Sequence, residues 1–349
     1  MKKKEIVELL SLKEPEAVRS LYERAYATKL KTVGNKVYFR GIIEYSNICT
    51  KNCYYCGIRR ENQKNSRYEM SSKEVIEAGL WAFENRYGSV VIQSGERNDK
   101  QFVDKIKGII KELKTLTSGK LGITLSLGEQ SREVFEEWYV AGAHRYLLRI
   151  ETTNPELYSK CHPSDHSMLK RLDCLRILKE IGYQTGTGVM IGLPGQTLSH
   201  LADDILFFRD FDIDMIGMGP YVIHQETPFS RYKDKVDHEE NLQLSLKMIA
   251  ITRLIMPDIN IASTTALQAI NPQGREMGLK AGANIIMPVI TDIKYRKSYQ
   301  LYNNKPCLDE NSDMCKSCLE GRIATIGEEI GYSEWGDSPH FTGRKNDKV

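Results

Sequence analysis

Apolar and polar positions along this chain change period at regular intervals. Within residues 4–33, Ile6, Leu9 and Leu10, then Val18, Leu21 and Ala25, recur at the spacing of one helix face. From Val37 the texture switches to short apolar segments at 37–45, 89–93, 121–125, 145–150, 184–191, 215–218, 259–263 and 284–288. Amphipathic helical patterns alternate with them near 72–86, 100–115, 130–141, 168–181, 197–209, 240–255 and 273–281, with a last helix expected within 312–330. Strand after strand followed by a helix, with no repeat, linker or low-complexity tract, predicts an α/β chain. The expected architecture is a (β/α)8 TIM-type barrel over 36–300, with an N-terminal helical extension (1–35) and a C-terminal helical segment (301–349). A doubly wound open sheet is the alternative. In such a barrel, catalytic groups belong at the C-terminal ends of the strands.

Composition narrows the picture. The chain has 349 residues, 41% apolar and 27% charged, with formal net charge +3. Basic residues cluster only at Lys2, Lys3 and Lys4 and at Arg344 and Lys345, so no nucleic-acid partner is expected. The first apolar run is too short and too soon charged for a secretion signal. No stretch nears the ~20 apolar residues of a membrane span. A cytoplasmic location and no membrane association are expected.

Cysteine changes the picture most. Six of the eight cysteines fall in two tight groups, a usage that suggests metal or redox chemistry rather than disulfides. Cys49, Cys53 and Cys56 form a C-x3-C-x2-C arrangement just past the first strand. Three soft thiolates this close can hold three irons of a cubane and leave the fourth iron open. A zinc site is the alternative, although structural zinc usually takes four ligands.

This motif resembles the signature of the radical S-adenosylmethionine (SAM) superfamily, with Tyr55 as the aromatic residue before the third cysteine. The resemblance implies a 4Fe–4S cluster and SAM as cofactors. The open iron would chelate the SAM amino and carboxylate groups, and reductive cleavage would give a 5′-deoxyadenosyl radical. Other motifs fall in register. Gln93, Ser94, Gly95 and Glu96 resemble the superfamily's GGE motif, which receives the SAM amino group, with Ser94 in place of a glycine. Ser126 and Glu129 follow the third strand, placed for ribose or substrate, or for helix capping. Arg145 and Arg149 share one face of the fourth strand, and inward arginines demand anions. Glu151 is a candidate partner and SAM contact, and Arg171 a candidate fork for the SAM carboxylate. The glycine-rich stretch from Gly186 through Gly192 to Thr197 resembles the region that packs against adenine, with Gln196 where Glu is usual.

The resemblance narrows to the HydE family of FeFe-hydrogenase maturases. It rests on residues 42–47, 49–59 and 93–96, Ser126 to Glu129, Tyr146 to Arg149, Gly192 to Thr197, Thr264-Thr265 and Tyr299 to Tyr302. It implies action on a cysteine-bound iron carbonyl-cyanide fragment made by the maturase HydG, in assembly toward the scaffold HydF. Positive charge for such an organometallic substrate would come from Arg40, Arg145 and Arg149. Hydroxyls would come from Thr264 and Thr265, phenols from Tyr299 and Tyr302, and a soft wall near the adenosyl group from Met215. Cys307, Cys315 and Cys318 (C-x7-C-x2-C) match the family's accessory Fe–S ligands, for a 2Fe–2S or 4Fe–4S cluster, with a small zinc site as the alternative. The chain departs from the family at Ile150, at Arg97-Asn98-Asp99 and in a longer 229–241 segment. Cys161-His162 reads as incidental, Cys174 as core, and His224 as a candidate to face the pocket. Other readings are a methylornithine-synthase-like rearrangement, biotin-synthase-like sulfur chemistry, or a non-catalytic Fe–S carrier.

Overall fold

The computed structural model describes residues 1–346. Among them, eight parallel strands form the barrel: β1 Lys36–Ser46, β2 Ser89–Ser94, β3 Gly122–Ser126, β4 Arg145–Leu147, β5 Gln184–Thr187, β6 Met215–Ile216, β7 Asn260–Ile261 and β8 Ile285–Ile286. Their order in the sheet follows the chain, and β8 returns to pair with β1 at Tyr38↔Ile285 and Phe39↔Ile286. The ring closes between β7 and β8 through the Ala262↔Ile285 bridge and the Asn284 N–H bond to the Ile261 carbonyl (2.9 Å). A closed ring, not an open sheet, is therefore the architecture.

Local chemistry accounts for the helices between strands. Ser71, Asp99, Ser131, Ser167, Thr197 and Asp237 each cap a helix N-terminus with a side-chain oxygen, and Ser71 forms a capping box with Glu74. Gly142 and Gly182 end two of these helices at φ +121° and +105°, where a side chain would be strained. Strands β5 to β8 are shorter than their apolar runs. The run 184–191 splits after Thr187, and Met190–Ile191 pairs instead with Gly219–Pro220, flaring the barrel mouth. The N-terminal helical stretch is also split: Pro15 opens a second helix, Pro15–Thr32, after Lys3–Leu10. Lys29 of that helix forms a fully buried ion pair with Glu328 (2.5 Å), tying both chain ends to the barrel wall.

The C-terminal segment does more than extend the barrel. After helix Ser312–Thr325, Glu329–Ile330 pairs with the start of β1, and the following residues cross the barrel floor. There Asp337 meets Arg145 (2.7 Å), the Trp335 carbonyl accepts from Arg145 (2.5 Å), and the Gly336 carbonyl accepts from Arg40 (3.0 Å) and Asn260 (2.8 Å). This corrects the expectation that Arg40 and Arg145 serve the substrate. Both lie at the N-terminal end of the strands, and the carboxylate that Arg145 requires is Asp337 of this same chain. His144 and then the charge of Arg145 hold the Asp337 carboxyl below the usual range despite burial, which works the other way. No helix among the described residues is long and apolar enough to cross a membrane.

Asp337→Ala leaves a fully buried guanidinium without its counter-charge. Loss of about 2–4 kcal/mol in equilibrium urea unfolding is expected; a loss under about 0.5 kcal/mol would show that the floor contact carries no stability.

Candidate active site

The opposite end of the barrel holds a cavity of about 1130 Å³ counting its open mouth. The loop after β1 brings Cys49, Cys53 and Cys56 to its wall. Among the described residues their sulfurs do not all approach within 4.8 Å of one another, whereas a tetrahedral zinc would draw them to roughly 3.8 Å. Backbone N–H groups of Lys51 (3.4 Å) and Glu96 (3.3 Å) point at the Cys49 sulfur. Burial pushes all three thiols up, Cys53 to about 12, so bound positive metal is what would hold them as thiolates.

The end of β2 is built against this loop. Gly95 is required there: a Cβ would sit 2.4 Å from the Ile48 carbonyl oxygen and 2.8 Å from Cys49 Cβ. Gln93, Ser94, Gly95 and Glu96 all line the cavity, with Ser126 from β3. Arg171, on helix Met168–Ile181, reaches in from behind. Its Nε donates to Glu129 (3.0 Å), one Nη to the Arg149 carbonyl (3.0 Å), and the other Nη to Glu96 (3.3 Å). Lys51 completes the group with Glu129 (3.0 Å) and Glu96 (3.2 Å). Two cations thus face two carboxylates in one buried network. Burial raises Glu96, while in Glu129 the same burial is outweighed by Arg171 and Lys51, which hold it low. One network therefore presents carboxylates already paired with cations and a guanidinium fixed in place.

On the far wall, Arg149 pairs with Glu151 (2.9 Å) and donates to the Val189 carbonyl (3.0 Å). Glu151 sits at φ +65°, a left-handed position rare for a residue with a side chain and held by a parallel bridge to Val189. Tyr299 and Tyr302 line the mouth, and Gln93 donates to the Tyr299 hydroxyl (3.2 Å). Their segment is stitched across the opening. Gly57 of the cysteine loop donates to the Leu301 carbonyl (3.0 Å), and Asn303 to Ile223 (3.0 Å). Buried Lys305 donates to the Tyr299 carbonyl (2.9 Å) and pairs with Glu44.

Other expected residues lie elsewhere. Met215 is one layer lower, in a small chamber with Arg40, Thr124 and Asn260, where Arg40 donates to its sulfur (3.3 Å). Thr264 donates to the Met218 carbonyl (3.3 Å), Thr265 accepts from Arg275 (3.3 Å), and Ala266 is the residue of that stretch at the cavity. Gly192 turns at φ +86° against Asn241 and donates its N–H to the Gln196 side-chain oxygen (2.7 Å), outside the cavity lining. His224 packs against Gly57, behind the lid segment. Cys174 is core. Cys161 is buried, and the neighbouring His162, lowered to about 3 by burial, accepts from Tyr55 (3.2 Å). Sequence reasoning missed Lys51, Met190, Pro220, Tyr221 and Leu301 at the cavity. Lys51 was within the cysteine motif, but its carboxylate partners lie 45 and 78 residues further on, beyond any local signal.

A parallel barrel with a three-cysteine loop after its first strand, facing a buried Arg–Lys–Glu–Glu network, defines a class. Residues 43–208 match the radical SAM superfamily, and the chain belongs to it as an enzyme of that superfamily. It is 44% identical to the [FeFe] hydrogenase maturase subunit HydE of Thermotoga maritima, over 94% of this chain and 91% of that one. Within the superfamily it belongs to the HydE family. It is also 29% identical to 3-methylornithine synthase of Methanosarcina acetivorans, over 92% and 88% of the two chains. The crystal structure of methylornithine synthase shares the fold, with TM-score 0.81 at 23% identity over 95% and 94%.

Cys53→Ala is expected to abolish reductive SAM cleavage and lose most cluster iron, while Cys315→Ala, on the helix Ser312–Thr325, retains both. Iron content and 5′-deoxyadenosine yield check this; equal losses would merge two sites that the geometry separates.

Proposed function

We propose that this chain is a HydE-type maturase that acts on an iron carbonyl-cyanide fragment carrying a cysteine ligand, during assembly of the FeFe-hydrogenase H-cluster. What supports the reading most is one continuous cavity that joins the three-thiol loop to a second, separately charged wall at Arg149. Identity of 44% to the Thermotoga maritima maturase adds to it.

Cys49, Cys53 and Cys56 would hold a 4Fe–4S cluster. When bound, that cluster and SAM supply an electron and a 5′-deoxyadenosyl radical. The chain's own groups bind, orient and shield. Arg171 is locked by Glu129 and the Arg149 carbonyl, so its charge is fixed before a ligand carboxylate arrives. Glu96 and Ser94 at the β2 end are placed for an ammonium group. Met190, Tyr221 and Val222 offer apolar wall for a purine ring. Arg149, paired with Glu151, brings cationic character to the far wall for an anionic, amino-acid-bearing substrate. The 299–305 segment excludes water from a site where a reactive radical must not meet solvent. Cytoplasmic partners of the HydG and HydF type would deliver substrate and receive product.

With anaerobically assembled cluster, dithionite and SAM, 5′-deoxyadenosine is expected. Deleting the gene should abolish FeFe-hydrogenase activity, and Arg149→Met should lower restoration of that activity at least tenfold while sparing SAM binding. Full hydrogenase activity in the deletion strain would remove the maturase role. Intact SAM cleavage alongside it would point to another radical SAM reaction.

A further inference from the structure

The C-terminal cysteines do not assemble as a trio. The ligand atoms of Cys307, Glu310 and Cys315 all lie within 4.8 Å of one another, and Cys318 is not among them. Cys315 and Cys318 share the helix Ser312–Thr325, but Cys315 is buried at 2% exposure and Cys318 faces solvent, its thiol beside Arg322. Arg322 is in turn held by Glu276 (2.6 Å). The three-thiolate arrangement implied by the family resemblance therefore does not fit here.

The smaller group is built. Arg296, 1% exposed, donates to the carbonyls of Cys307 (2.9 Å) and Glu310 (2.6 Å), and to those of Thr291 (2.7 Å) and Val289 (3.1 Å). One guanidinium thus pins both ends of the loop that carries two of the donors to the end of β8. Asn311 caps the helix that carries the third by accepting from the Met314 N–H (2.8 Å). Nearby Arg275, 2% exposed, leaves Nε and one Nη without a protein partner, and its charge bears on both sulfurs. A buried guanidinium with no carboxylate is costly unless an anionic centre faces it. Two thiolates and a carboxylate around a divalent ion keep one net negative charge, which Arg275 offsets.

We propose that Cys307, Glu310 and Cys315 form a site for a single thiophilic divalent ion of the zinc class, with Arg275 as its counter-charge and Cys318 outside it. Two sulfurs and a carboxylate oxygen this close match tetrahedral zinc, whose ligand atoms lie roughly 3.5–3.8 Å apart, with water able to fill the fourth position. The assignment is independent of the maturase reading, because it uses no residue of the barrel cavity's cysteine loop.

The test uses full-length protein with its catalytic cluster already assembled, so that Cys49, Cys53 and Cys56 are occupied. Zinc is added, excess removed, and bound zinc measured by elemental analysis and by chelator competition. Cobalt(II) serves as a second probe through its thiolate charge-transfer absorption. One zinc per chain beyond the cluster iron is expected. Glu310→Gln should weaken zinc at least tenfold, Cys315→Ser should abolish it, and Cys318→Ala should stay within twofold of the parent. Glu310→Gln alters only a loop side chain, so its loss of affinity would not reflect misfolding. Parent protein that retains no zinc would overturn the proposal. So would Cys318→Ala losing metal as fully as Cys315→Ser, or additional iron and acid-labile sulfide that vanish together in Cys318→Ala.

Discussion

Buried charge has to neutralise itself, and at the mouth of this barrel Arg171 is where that balance is struck. It joins Glu129, Glu96 and the Arg149 carbonyl, and so connects the helix after β4, the ends of β2 and β3, and β4 itself. Glu129 has 1% side-chain exposure, and a carboxylate so buried persists only with cations in contact. Lys51 supplies the second one from inside the cysteine motif, fixing that loop against the barrel. The cysteine loop is thereby anchored in part by an ion network that has no sulfur in it. A cofactor with a carboxylate and an ammonium group meets a surface already arranged by charges of the same kinds, so little reorganisation is left to be done on binding.

The barrel's two ends divide the work. The mouth keeps glycine and polar groups where strands finish, and gains a lid from residues 299–305. The floor is shut by the chain's own C-terminal stretch, with Asp337 and the Gly336 carbonyl occupying the arginines that β1 and β4 send downward. The fourth strand makes this division plain: Arg145 opens β4 at the floor, while Arg149 lies two residues past its end at the mouth.

The order of elements was legible because eight apolar runs alternate with helical periods, and capping residues mark many of the helix starts. Strand lengths were less so: runs such as 184–191 stay apolar after leaving the ladder, because the residues beyond it are buried in the mouth. The cysteine loop, the β2 turn and Arg171 could be read from motif spacing. Thr264, Thr265, Met215 and Gly192 could not be separated from cavity positions, since a residue's face at a strand end depends on where the ladder stops. The role of Asp337 was hidden for a different reason. It meets Arg145 across 192 residues, and no local pattern announces such a pairing. Cys318 sat in a persuasive spacing, but its turn of the helix faces water.

The central claim is that three thiolates leave one iron open to the amino and carboxylate groups of SAM. Electron–nuclear double resonance of the reduced cluster, with SAM labelled by ¹⁵N in its amino group and ¹⁷O in its carboxylate, tests it most directly. The account predicts hyperfine coupling to both labels in the parent protein, with the carboxylate coupling altered in Arg171→Lys. A reduced cluster whose spectrum is unchanged by either label would contradict it.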